Sequence, residues 1–209
     1  MKLLRNVIPA TFLLSIALTP VSAETININM FSQNNGSSQG VTVTGSGKGP
    51  FSTYTGSVWN NYEPPFAGAV NTGPLVNSSG DTTSVELTST TSVVSSFSNG
   101  QTSLDALKGY LYTNSSTNVA PDFTFTGLDS TLSYDLYIAA QGDKSGQGST
   151  FTIGSDTLTA TGTTPGASSY IENTNFVKFE NVQADGSGNL EFTWEAGTTT
   201  QALNSIQLV

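Results

Sequence analysis

The sequence predicts an all-β protein, an antiparallel β-sandwich of the jelly-roll type with at most one short helix. Three observations carry that expectation. Apolar residues recur at every second position through most of the hydrophobic stretches, the period of a strand with one buried face. Clusters of Gly, Asn, Asp, Ser and Pro punctuate these stretches at short intervals. Only one segment carries helical signals. Many short strands at such spacing build sandwiches and jelly rolls.

The strands follow in order along the chain. In TININMF, Ile26, Ile28 and Met30 alternate with Thr25, Asn27 and Asn29. The segment SLDALKG reads as the helix, with Ser103 as N-cap, Leu104 and Leu107 on one face and Gly109 as its stop. In GYLY, Tyr110 and Tyr112 flank Leu111, which predicts a tyrosine-rich, partly wet face. DFTFTGL sets Phe123 and Phe125 against Thr124 and Thr126. YDLYIAA sets Tyr134, Leu136 and Ile138 against Asp135 and Tyr137, with Tyr137 facing outward. STFTIG contributes Phe151 and Ile153, and NFVKFENV contributes Val177 and Phe179 around Lys178. GNLEFTWEAG places Leu190, Phe192 and Trp194 inward, with Glu191, Thr193 and Glu195 opposite. LNSIQLV closes the chain with Ile206 and Leu208 inward. Between these runs lie the turn signals GSGKGP, NSSGD, QGDKSGQG, TTPGAS and ADGSGN.

The first 23 residues read as a secretory leader. Lys2 and Arg5 precede the apolar run ATFLLSIAL, and Val21-Ser22-Ala23 is a small-residue cleavage site. That run is too short to span a bilayer, which needs about 20 apolar residues. Residues 24–209 are then one β-sandwich domain, with no later segment apolar enough for a membrane helix and no anchor before Val209. The expected product is secreted, to the medium or the cell surface. Loss of Lys2 and Arg5 takes the formal charge from −9 to about −11, with no arginine left. Such a surface repels phosphate backbones, so nucleic acid is excluded as a partner. With no cysteine, the domain folds without disulfides. The sequons at Asn35, Asn77 and Asn114 matter only in a eukaryotic secretory route.

The chemistry available is narrow. Histidine and cysteine are both absent, which removes the usual nucleophile–base systems and zinc sites. Paired-carboxylate hydrolysis needs two carboxyl groups about 5–9.5 Å apart. Glu191 and Glu195 share a strand face but lie about 13 Å apart at about 3.3 Å per residue. No catalytic residue is nominated, and the chain is expected not to be an enzyme. No cofactor is expected beyond a candidate structural calcium. The oxygen-rich loops at Asn77–Asp81 and at Asp185, Ser187 and Asn189 are its candidate holders, although both read better as hairpin turns, since neither has a full EF-hand-like spacing. The metal ligands stay unassigned.

The aromatic residues divide by pattern. Trp194, Phe123, Phe125, Phe151 and Phe179 occupy inward positions and read as core. Trp59 is different, because GSVWNNYEPP has no alternation. A sugar site needs a flat aromatic face for C–H surfaces and amides for hydroxyls. Trp59, Asn60, Asn61 and Tyr62 supply those types and are the candidate carbohydrate-binding residues. The competing reading, which the usual burial of large aromatics slightly favours, is that Trp59 plugs an open end of the sandwich, where one large ring buries considerable apolar area.

VWNNY, NSSGDTTSVELT, FTFTGLDSTLSYDLYIAAQGD, FTIGSDTLTATGT, NFVKFENVQADGSGNLEFTWEAG and ALNSIQLV occur in this order and cover most of residues 24–209. Together they resemble a secreted bacterial galactose-binding-like domain of planctomycetes, verrucomicrobia and other exporters, often found beside a PEP-CTERM sorting tail. Two departures stand out: no sorting tail follows Val209, and Ser205 occupies the place of a glycine in the closing strand. The resemblance implies a jelly roll, often with a structural calcium near the chain ends, and glycan recognition. The expected function is therefore a non-catalytic, lectin-like module acting on extracellular polysaccharide. The alternative is a structural matrix or cell-surface protein that self-associates through strand edges.

Overall fold

The computed structural model describes residues 25–30, 43, 49–51, 58–62, 67–90, 92–93, 95–113, 120–195 and 199–209. The expected leader and its expected cleavage site, most of GSGKGP, and Asn35 and Asn114 lie outside the described residues.

Two five-stranded sheets form the body. The first is built from β1 (Ile26–Met30), β2 (Asn60–Tyr62), β9 (Ser133–Ala139), β12 (Phe176–Gln183) and β15 (Ser205–Leu208), in the order β12-β9-β15-β1-β2. The second contains β4 (Glu86–Ser89), β8 (Asp122–Thr126), β10 (Ser149–Ile153), β11 (Asp156–Ala160) and β13 (Leu190–Trp194), in the order β11-β10-β13-β8-β4. A third, three-stranded sheet joins β6 (Ser95–Ser98), β7 (Gly109–Thr113) and β14 (Gln201–Leu203) as β14-β7-β6. β3 (Ala67–Gly68) and β5 (Ser92–Val93) form a minor pair. Every pairing among these strands is antiparallel except β1 with β2, which is parallel.

The expected alternation is present where the two large sheets face each other. Ile26, Ile28, Leu136, Ile138, Val177, Phe179, Ile206 and Leu208 from the first sheet meet Leu87, Phe123, Phe125, Phe151, Leu190, Phe192 and Trp194 from the second. Phe192 anchors this core: its ring stacks on Phe123 at 5.0 Å and meets Phe151 edge-on at 6.5 Å. The indole Nε1 of Trp194 donates to Ser149 Oγ at 3.0 Å, so the one polar atom of that buried ring is satisfied.

The first sheet departs from the simple pattern, because its other face is covered as well. Asn27 and Asn29, whose alternation predicts a wet face, are fully buried. Tyr137, expected to face outward, is 8% exposed and packs with Leu107, Ala139 and Phe176. Amides make this burial tolerable. Gln207 Nε2 donates to Asn27 Oδ1 at 2.7 Å, Phe51 N donates to Gln207 Oε1 at 2.9 Å, and Asn27 Nδ2 donates to Val58 O at 3.1 Å. A buried amide with its partners in place escapes most of the desolvation penalty.

The short helix α1 (Asp105–Lys108) belongs to this cover and buries Ala106 and Leu107. Ser103 is not its N-cap. Leu104 holds that position without a side-chain cap, and Thr102 Oγ1 accepts the Leu104 N–H at 3.1 Å instead. A helix of four residues leaves no interior for a capping box to stabilise, so the preceding threonine turn sets its start.

Candidate functional site

The segment containing Trp59 is part of the cover over the first sheet. Trp59 is 7% exposed and packs with Val43, Ala106 and Tyr170. Asn60 is turned into the fold: its Nδ2 donates to Asn27 O at 2.9 Å and Val76 O at 2.7 Å, and its Oδ1 accepts the Val76 N–H at 2.9 Å. Asn61 pairs both ends of its amide with the backbone of Val43, at 2.8 and 3.0 Å. Its Oδ1 also accepts from Asn29 Nδ2 at 3.0 Å. The hydroxyl of Tyr62 is engaged with the backbone N–H and C=O of Asn71, both at 3.1 Å. The four nominated residues are thus neighbours, and the amides of Asn60 and Asn61 and the hydroxyl of Tyr62 bond this chain's own backbone and amides. In this arrangement they secure β2 and the adjoining loops.

An accessible aromatic surface occurs instead on the outer face of the three-stranded sheet. The register pairs Phe97 with Tyr110, and Ser95 with Tyr112. Residues directly opposite in a ladder share a face, so these rings form one group. Phe97 is 41% exposed and is the exposed aromatic ring among the described residues. Its ring lies 6.2 Å from Tyr110, which lies 6.2 Å from Tyr112, with interplanar angles of 58° and 55°. The rings make a tilted stair rather than a coplanar shelf.

Tyr110 is the fixed step of that stair. It is 2% exposed, and its hydroxyl donates to Asp143 Oδ1 at 2.8 Å. Burial, reinforced by the Asp143 carboxylate, pushes the phenol well above its ordinary range, so it stays protonated as a donor. Asp143 lies in the QGDKSGQG loop, which is held from below. Asn99 Nδ2 donates to Gly142 O at 3.2 Å and Pro165 O at 2.8 Å, while its Oδ1 accepts the Gln101 N–H at 3.1 Å. The exposed Gln101 donates its side-chain amide to Asp143 O. The exposed Phe97 ring, the half-buried Asp143 carboxylate and the exposed Gln101 amide thus gather around the buried Tyr110. The pattern GYLY pointed to this face, whereas Phe97 in SSFS carried no comparable signal. Its partner Tyr110 is chosen by strand pairing across the ten-residue connection 99–108 that contains α1, which no local pattern encodes.

The two calcium candidates are closed turns. Asn77 Oδ1 accepts the N–H groups of Ser79 and Asp81 at 3.0 and 2.9 Å. Asp185 Oδ1 accepts those of Ser187 and Asn189 at 2.8 and 2.9 Å, and its Oδ2 receives Asn189 Nδ2 at 3.3 Å. The backbone donors of Asn189 and then Ser187 hold the Asp185 carboxyl below its ordinary range. Among the described residues, no group of three or more His, Cys, Asp or Glu converges as a metal site would.

One further cluster joins lysine, tyrosine and carboxylates. Lys178 Nζ lies 2.9 Å from Asp135 Oδ2, 2.5 Å from Glu180 Oε1 and 5.3 Å from the centre of the Tyr137 ring. The hydrogen bonds to Glu180 and then Asp135 push the ammonium well above its ordinary range. A lysine held protonated in this way makes a salt bridge, not a general base.

A scan against protein-family models and searches of curated proteins and of solved structures each returned no match to this chain.

Proposed function

We propose that this chain is an exported, non-catalytic module that binds extracellular polysaccharide through the outer face of its three-stranded sheet. The observation that carries the reading is Phe97, an aromatic ring 41% exposed on a face it shares with Tyr110 and Tyr112. Pyranose rings present C–H surfaces that pack on aromatic faces, and their hydroxyls take amide and carboxylate partners such as Gln101 and Asp143. The tilted, open arrangement suits one sugar unit of a longer chain better than an enclosed small molecule. The resemblance to galactose-binding-like jelly rolls and the leader at residues 1–23 agree with this role. The site differs from the Trp59–Tyr62 segment, whose side chains are occupied within the fold.

The test is depletion by insoluble polysaccharides, together with electrophoresis through gels containing soluble ones. Phe97→Ala is expected to weaken binding to the retained glycan by about tenfold or more, the scale of one lost anchor ring. Leu132→Ala, which removes a 52% exposed apolar side chain elsewhere, should leave it unchanged. Retention of Phe97→Ala equal to the parent protein would refute this placement of the site.

A further inference from the structure

We propose that the edge of β11 is a self-association surface, at which two copies of this chain pair antiparallel to join their second sheets. The proposal goes beyond glycan recognition and rests on no part of it, since β11 belongs to a different sheet from Phe97.

The outer strands of the two large sheets are finished in different ways. An unpaired strand edge presents a row of N–H and C=O groups, and folded proteins normally cover or block it. β4, at one side of the second sheet, is covered by residues 70–75: Thr72 N donates to Leu87 O at 3.1 Å, and Ser89 N donates to Val70 O at 3.0 Å. Beyond β2, in the first sheet, the Asn61 amide clamps the backbone of Val43. β12, at the other side of that sheet, is blocked differently. It carries Lys178 and Glu180 and breaks register between Phe179 and Val182. Asn181 sits there at φ 55, with its N–H given to Asp135 Oδ1 at 3.0 Å. Such a bulge, flanked by charge, resists a new strand.

β11 has none of these devices. Its sequence DTLTA contains no lysine, proline or glycine, and its one charge stands at its first residue. A groove of about 410 Å³, whose lining includes Asp156, Thr157, Leu158, Lys178, Glu180 and Val182, runs between it and the nearby β12, and no ladder joins the two strands. Cover resumes only after its end, where Thr161 N donates to Asn173 O and Gly162 N to Thr174 O. Among the described residues, Asp156–Ala160 pairs on one side only, with β10.

The residues fit a two-fold pairing centred on Leu158. Thr157 of one copy then lies opposite Thr159 of the other, and Asp156 opposite Ala160, so no like charges face each other. The pairing also continues a ladder already present within each copy. Thr150 bonds Thr159 at 2.8 Å and Thr152 bonds Thr157 at 2.9 Å, hydroxyl to hydroxyl. Across the two-fold, the row Thr150–Thr159 would run on into Thr157–Thr152 of the second copy.

A five-residue edge buries less than the ~1,200 Å² of a stable specific interface, so the association is weak and concentration-dependent. The acidic chain repels itself, so the association should strengthen as salt screens that repulsion. Such pairing suits a protein crowded on a surface or in a matrix.

Because the chain contains no cysteine, single introduced cysteines report the register directly. Thr157→Cys and Thr159→Cys proteins are mixed and oxidised. The heterodimeric disulfide is expected to outrun both homodimeric ones, since each residue faces the other rather than itself. Sedimentation of the parent protein at high concentration and high salt should show a dimer. Thr157→Lys/Thr159→Lys, which places lysine opposite lysine twice, should weaken that dimer by about tenfold or more. Thr124→Lys/Thr126→Lys makes the same charge change on central strand β8 and should not. A monomer under all these conditions, cross-linking without register preference, or equal loss in both lysine variants would overturn the proposal.

Discussion

Replacing Trp59 by alanine separates a structural role from a binding role. Trp59 is 7% exposed within a cluster that also holds Val43, Ala106 and part of Tyr170, lying apart from the main core. Truncating a buried tryptophan typically costs about 3–5 kcal/mol. The small cluster and the covering loops around it can relax more readily than the core between the sheets, which places the expected loss near the lower end. For a chain of this length each kcal/mol moves the melting temperature by about 2–4 °C, so Trp59→Ala should melt about 6–12 °C below the parent. Scanning calorimetry supplies that number, and glycan retention below the transition supplies its counterpart. Trp59→Ala should melt early yet retain the glycan, whereas Phe97→Ala should melt within about 2 °C of the parent and lose retention. A Trp59→Ala protein of unchanged melting temperature that fails to bind glycan would refute the reasoning, because the ring would then be a ligand surface and not a plug.

Two other perturbations test the polar framework. Asn204 is fully buried: its Nδ2 donates to the carbonyls of Leu107, Gly109 and Gln141 at 2.9–3.1 Å, and its Oδ1 accepts Gln141 N–H at 2.6 Å. Each orphaned buried group costs about 1–3 kcal/mol without strict additivity, so Asn204→Ala should lose about 3–5 kcal/mol in denaturant unfolding; a loss below 1 would refute the hub. Acid should also destabilise the fold. Burial alone would raise the Asp135 carboxyl, but the hydrogen bond from Lys178, the Asn181 N–H and the lysine charge outweigh it, so the net shift is downward. Asp129 and Asp185 are lowered by hydrogen bonds from Thr131 and from Asn189 and Ser187 respectively. A depressed carboxyl contributes stability that is present above its unfolded value, about 3.9, and lost as pH falls through the folded one. The denaturant midpoint should therefore hold steady at neutral pH, fall once the pH drops below about 4, and fall less steeply in Asp135→Asn. A midpoint unchanged down to strongly acid pH would contradict that sign.

Legibility in the sequence followed the number of faces each strand buries. The strands of the second sheet have one dry and one wet face, and their alternation names them correctly: Phe123, Phe125, Phe192 and Trp194 point inward, while Glu191 and Glu195 are exposed. The first sheet is dry on both sides along β1, β15 and the second half of β9. Its asparagines and glutamine look like surface residues in the chain, yet they pair with backbone from residues far away, as Gln207 does with Phe51 and Asn204 with Leu107. Nothing local distinguishes a buried amide from an exposed one, since its partner comes from the tertiary fold. The same limit applied to the site. WNNY has the residue types of a sugar site, but long-range packing buries Trp59 and engages the amides of Asn60 and the exposed Asn61, while Phe97 came to the surface through pairing with β7. β11 went unread as a strand because Thr157 and Thr159 alternate around its one large apolar residue, Leu158.

The doubly covered first sheet narrows where recognition can occur. A ligand on that sheet's outer face would have to displace Trp59, Leu107 and Tyr137 from their packing. If freeing Trp59 alone costs about 3 kcal/mol, affinity at that place falls by about two powers of ten before any sugar contact is made. Phe97 carries no such cost, because its ring is already exposed and its neighbour Tyr110 is already fixed by Asp143. The second sheet keeps an open hydroxyl-rich face and an open edge at β11, for the opposite reason: no loop among the described residues lies across Thr157 and Thr159, which are both exposed. The same asymmetry between the sheets thus makes Trp59 a costly ligand surface and leaves two separate surfaces exposed, the Phe97 ring beside β7 and the strand edge at β11.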